Sequence, residues 1–105
     1  MAQFRIYRNL SSGASRGIPF LLDVQTDLLQ GLATRLVVPL YRRSAYTGSL
    51  MAGLMPTFEL GGEPCIAVLP EMAAVSAKCL GAEVADAAAR CSDLLSALDL
   101  LISGF

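Results

Sequence analysis

The sequence predicts a mainly β fold with one C-terminal α-helix: a small, mostly antiparallel barrel or sheet that the helix closes. Three observations predict it. Short apolar runs, some alternating with a period of two, recur from residue 3 to residue 80. Stretches rich in Gly and Ser separate them. From Glu83 the apolar period lengthens to three and four residues, the spacing of a helix. The 105 residues fit one domain, 1–105.

The elements follow in order. In "QFRIY" Phe4 and Ile6 face one way and Arg5 and Tyr7 the other, as in a half-buried strand. "NLSSGASRG" reads as a loop. "IPFLLDV" is a second strand, with Pro19 near its start, where a missing N–H costs little. "QTDLLQGLA" is too short for a long helix and is broken by Gly31. "TRLVVPL" is a third strand, apolar on both faces through Leu36, Val37 and Val38 and ended by Pro39. Residues 41–56 have no clear period. "TFEL" and "CIAVL" flank "GGEP", which is a hairpin signal. "AAVSAKCL" reads as a further edge strand stopped by Gly81, although Ala-rich text also suits helix. The helix is expected from Glu83 to the stop at Gly104, about 19 residues and roughly 28 Å. Cys91, Leu94, Leu95, Leu98, Leu101 and Ile102 form its apolar stripe, the alanines 87–89 favour it, and Glu83 and Asp86 suit its positive end.

The composition excludes several classes of function. Hydrophobic residues make up 54% and charged residues 16%, which is apolar for so small a monomer and points to a buried subunit interface. Eight Lys and Arg stand against nine Asp and Glu, so no positive excess points to nucleic acid or a membrane surface. There is no apolar run of about 18 residues and no signal-peptide pattern, so a cytoplasmic protein is expected. Cys65, Cys79 and Cys91 lack metal-ligand spacing and read as buried free thiols. With no His in the chain, Ser–His and Cys–His nucleophilic chemistry is absent, and no metal or cofactor is expected.

Three constellations remain. Asp23 and Asp27 form either a carboxylate pair or, more simply, a strand end and a turn held by side-chain hydrogen bonds. Thr34 beside Arg35 resembles a ribonuclease pair, but neighbours on a strand face opposite sides. Arg8, Arg16, Arg42 and Arg43 lie in loops, where a set of arginines can bind an acidic peptide.

The segments "QFRIYRN", "LLDVQTDLLQGLATRLVVPL" and "GAEVAD", with the Gly-plus-apolar terminus, resemble the CcdB family of toxin proteins over the full length. The resemblance implies an SH3-like barrel of the CcdB/MazF type, with a C-terminal helix, in a two-fold homodimer. It implies a non-catalytic toxin of a toxin–antitoxin module. Such a toxin binds the A subunit of DNA gyrase and traps the enzyme on cleaved DNA, and a CcdA-like antitoxin with a disordered C-terminal segment neutralises it. The positions implied for gyrase contact are Thr26, Leu28, Leu29, Asp99, Ser103, Gly104 and Phe105. Arg8, Arg16, Arg42 and Arg43 are expected to meet the antitoxin, and Leu101 and Ile102 the partner subunit. Some members carry Trp where this chain has Ser103, and that ring stacks on a gyrase arginine. Ser103 cannot make a cation–π contact worth about 0.5–2 kcal/mol per copy. Residues 41–56 also depart from the family pattern. A MazF-like ribonuclease would need a basic groove that the scattered arginines do not supply, and a non-toxic decoy that only sequesters antitoxin is the third reading.

Overall fold

The computed structural model describes residues 2–104, and Phe105, expected at the gyrase surface, lies outside the described residues. Seven antiparallel strands form one barrel-like sheet: β1 (Arg5–Asn9), β2 (Phe20–Asp23), β3 (Thr34–Arg42), β4 (Thr57–Leu60), β5 (Glu63–Ala67), β6 (Ala73–Ser76) and β7 (Leu80–Asp86). The order is β4-β5-β3-β2-β1-β7, and β6 also pairs with β3. Helix α1 (Cys91–Ser103) follows. The mainly β fold with a C-terminal helix is therefore observed.

β1 keeps the predicted alternation. Ile6 enters the main core with Phe4, Leu22, Val38, Leu40, Phe58 and Leu94, and Tyr7 enters a second cluster with Leu21, Val37 and Leu80. Phe4 lies just before β1 with a left-handed φ of 62°. Its backbone N–H donates to Asp23 O at 2.6 Å and its carbonyl accepts from Ala87 at 2.7 Å, which fixes that conformation for a buried ring.

β3 is the hub of the sheet. Residues 37–40 pair with β2, residues 40–42 with β5, and residues 34–37 with β6. Pro39 does not end it, because the strand runs on to Arg42. Val24 N–H donates to Leu36 O, so even-numbered residues of β3 bond towards β2 and Pro39 turns its nitrogen the other way. That is where the neighbour changes from β6 to β5, so the missing N–H breaks no ladder bond. Pro19 precedes β2 as expected. The β4–β5 hairpin also forms as expected, with Leu60 paired to Glu63 and Gly61 and Gly62 at φ of 61° and 82°. Both values suit the two-residue turn that matches strand twist.

The expected helix is too long at its start. Residues 80–86 form β7, and Gly81 lies inside that strand rather than stopping one. Pairing with β1 decides this: Arg5 reaches Glu83 at 2.9 Å and Asp86 at 3.2 Å. Without β7 the ladder groups of β1 on that side would have no partner, a cost larger than alanine helix propensity. Glu83 and Asp86 therefore do not serve the helix dipole. Ala88–Arg90 make a short 3-10 turn before α1 begins at Cys91. At 13 residues the helix is about 20 Å long. Gly104 ends it at a φ of 78°, as the sequence predicts. Leu94 and Ala97 are its buried residues, with Cys91, Leu98 and Leu101 packed beside them. Leu95 and Ile102 leave the expected stripe and are exposed. A single flat contact with the sheet accepts a narrower stripe than a helix enclosed on several sides.

The three cysteines are free; Cys65 is buried, which pushes its thiol pKa up, and Cys79 and Cys91 are half-buried. No described helix is long and apolar enough to cross a membrane. Tyr41 on β3 donates to Glu71 Oε1 at 2.6 Å. That bond, and then burial, pushes its phenol up to about 12. The folded pKa exceeds the unfolded value, so the contribution is complete below about pH 10 and disappears as pH rises towards 12. Stability measured by urea denaturation is expected to fall less between pH 10 and 12 in Tyr41→Phe than in wild type. Equal slopes would contradict it.

Candidate functional site

Two exposed apolar tips stand out from this frame. The first is the connection from β2 to β3. Asp27–Leu29 form one 3-10 turn, which Thr26 caps by accepting from Leu28 N–H. Leu28 is 92% exposed, and Leu29 and Leu32 are about half exposed. A short turn with no buried side chain has little stability of its own. Its order comes from its anchors. The backbone N–H of Gln3 donates to Asp27 Oδ1 at 2.7 Å, and Gln3 Nε2 donates to Val24 O at 3.2 Å.

Behind the turn lies an ion pair that sequence reasoning missed. Arg35 and Asp23 are 1% and 0% exposed, and Arg35 Nε donates to Asp23 Oδ2 at 2.8 Å. Arg35 Nη2 donates to Gln25 O at 3.3 Å, and Asp23 Oδ1 accepts from Gln25 N–H at 3.0 Å. Nη1 of Arg35 is buried without a hydrogen-bond partner among the described residues. The signal was available. In "TRLVVPL" the period of two puts Arg35 on the same side as Val37, so an inward Arg required a carboxylate on the neighbouring strand. Thr34 is exposed while Arg35 is buried, so the two face opposite sides as expected. Asp23 ends β2 as the simpler reading had it. Asp27 binds the Gln3 backbone instead of its own turn, which Thr26 holds.

The second tip is the end of α1. Leu95, Asp99 and Ile102 recur at i, i+4 and i+7, so they share one helix face. All three are exposed, Ile102 by 74%, and Ser103 and Gly104 beyond them are exposed too. Leu101, expected at the subunit contact with Ile102, is half-buried against the core of its own subunit.

The arginines fall into two groups. Arg42 N–H donates to Gly17 O at 2.8 Å, and a Cβ on Gly17 would lie 2.3 Å from that of Ala45. Arg42 is the last residue of β3 and not, as expected, in a loop; this contact brings the loop of Arg16 against the end of β3 and Arg43 just beyond it. Arg42 pairs with Glu63 at 3.1 Å. Arg8, Arg16 and Arg43 have no ion-pair partner among the described residues. Arg8, expected in a loop, instead lies apart within β1, opposite Phe20, because β1 runs on to Asn9. A groove of about 520 Å³ separates residues 50–56 from Arg90, Asp93 and Ser96 at the start of α1.

The fold is thus an antiparallel sheet under one helix, with exposed apolar residues at a turn and along one helix face. A family model described as CcdB protein matches residues 3–104. The chain belongs to the CcdB family, whose members are toxins of toxin–antitoxin modules.

The buried pair makes a direct energetic prediction. Arg35→Met leaves Asp23 buried and unpaired, and is expected to cost about 3–5 kcal/mol. Adding Asp23→Leu to Arg35→Met is expected to restore most of that loss. Chemical denaturation of the two variants checks it, and a double variant weaker than Arg35→Met alone would contradict it.

Proposed function

We propose that this protein is a gyrase-poisoning toxin that acts by binding, without a catalytic step. As a homodimer in the cytoplasm, it would engage the DNA gyrase A subunit and hold gyrase on cleaved DNA until a CcdA-like antitoxin removes it. One observation carries the reading. Of the described positions that the family resemblance assigns to gyrase contact, all but Thr26 are exposed to solvent. They include Leu28, Leu29, Asp99, Ser103 and Gly104. Leu28 is a large apolar side chain held in water, and such exposure is maintained where a partner covers it. Thr26, half-buried, caps the same turn.

Ile102, beside Leu95 on the exposed face of α1, supports a subunit contact there. Leu101 contributes by bracing the helix from below. For the antitoxin, Arg16 and Arg43 on joined loops, with Arg42 beside them and Arg8 apart, give an acidic peptide cationic anchors.

Incubating the protein with gyrase and supercoiled plasmid, then denaturing and deproteinising, is expected to give linear DNA, while RNA in a parallel reaction stays intact. Removal of residues 103–105 is expected to abolish linearisation with little change in melting temperature, because the buried stripe of α1 ends at Leu101. Cleaved RNA with unbroken plasmid would instead support the ribonuclease reading. A stable truncation that still traps gyrase would remove the tail from the contact.

A further inference from the structure

The Leu28–Leu29 turn is anchored at its start by Gln3 through Asp27 and at its end by Gln25. The backbone N–H of Gln25 donates to Asp23 Oδ1 and its carbonyl accepts from Arg35 Nη2. Its side-chain Oε1 accepts from Leu36 N–H on β3 at 3.0 Å, and its Nε2 donates to Leu29 O in the turn at 3.0 Å. Both backbone polar groups and both side-chain polar atoms are therefore engaged. The side chain bridges the first residues of β3 to the last residue of the turn.

We propose that Gln25, held from behind by the buried Arg35–Asp23 pair, is a positioning residue that fixes the Leu28–Leu29 turn in its partner-binding conformation. This rests on the reading of that turn as a gyrase contact. The turn buries none of its own side chains, so its order depends on such anchors. Binding to a turn that is ordered only part of the time weakens by the ordered fraction. Gln25 acts on the partner through this fraction and not by touching it. The Asp23–Arg35 pair sets the position of Gln25 because it holds both of that residue's backbone groups.

Glu at position 25 separates the link from the fold. Its carboxylate still accepts from Leu36 N–H but cannot donate to Leu29 O. In Gln25→Glu, hydrogen exchange at the Leu28, Leu29 and Leu32 amides is expected to accelerate about tenfold, the weight of one good hydrogen bond. Affinity for a gyrase A fragment is expected to fall as the ordered fraction of the turn falls, by up to that factor, with an unchanged melting temperature and unchanged exchange in β3. Gln25→Leu, which removes both side-chain bonds, gives a second measurement with a larger effect at the same amides. Leu28→Asp serves as the control for the contact itself. If Leu28→Asp binds gyrase as wild type does, the partner assignment fails and the proposal fails with it. If Leu28→Asp loses affinity while both Gln25 variants keep it, the positioning role alone is overturned. A Gln25→Glu variant whose exchange rises equally across the sheet, with a lowered melting temperature, would mark Gln25 as merely structural and overturn it too.

Discussion

The Arg35–Asp23 ion pair is the constraint on which the exposed turn between β2 and β3 depends. It joins the end of β2 to the start of β3, where the chain leaves the sheet to make its exposed turn. β3 is also the strand on which β2, β5 and β6 all assemble. A charge pair in this position costs several kcal/mol of desolvation for each ion, and only close geometry and added hydrogen bonds offset it. Asp23 obtains them from Arg35 Nε and Gln25 N–H, and Arg35 from Asp23 and the Gln25 carbonyl. Nη1 of Arg35 has no hydrogen-bond partner among the described residues. An apolar pair would pack there at lower cost, but it could not bond the backbone on which the turn rests.

From that point the division between core and surface follows. One face of the sheet takes Leu22, Val38, Leu40 and Leu69 against Leu94 and Ala97 of α1. The other closes over Tyr7, Leu21, Val37 and Leu80. Among the large apolar side chains left exposed are Leu28, Leu29 and Leu32 at the β2–β3 turn and Leu95 and Ile102 along one face of α1. Under the proposed function, these exposed apolar residues are the ones a docking partner would cover. The arginine loops project from other elements, so a basic surface and the apolar tips can engage different partners.

Much of the fold was legible because its signals were local. Gly61-Gly62 between two apolar runs specified the hairpin, and the alternation of Ile6 and Tyr7 specified the two faces of β1. The start of α1 was illegible for the opposite reason. Alanines 87–89 favour helix locally, but Arg5, about eighty residues away in sequence, draws Glu83 and Asp86 into a strand. Pro39 misled in the same manner, because only the change of neighbour from β6 to β5 makes it harmless mid-strand. Within the site, Leu28 and Leu29 were identified through family resemblance. Their exposure and the Gln25–Arg35 anchorage emerged only from tertiary packing, since a spacing of ten residues says nothing of a hydrogen bond across two strands.

The central claim is that the turn and the helix end face gyrase while the arginine loops face the antitoxin. Hydrogen–deuterium exchange of the intact protein, alone, with a gyrase A fragment, and with an acidic antitoxin peptide, tests it most directly. The account predicts that gyrase protects residues 26–29, Asp99, Ser103 and Gly104 and leaves the loops of Arg16 and Arg43 unchanged, and that the peptide protects those loops. Gyrase-induced protection confined to the arginine loops, with the turn and helix end exchanging as in the free protein, would contradict it.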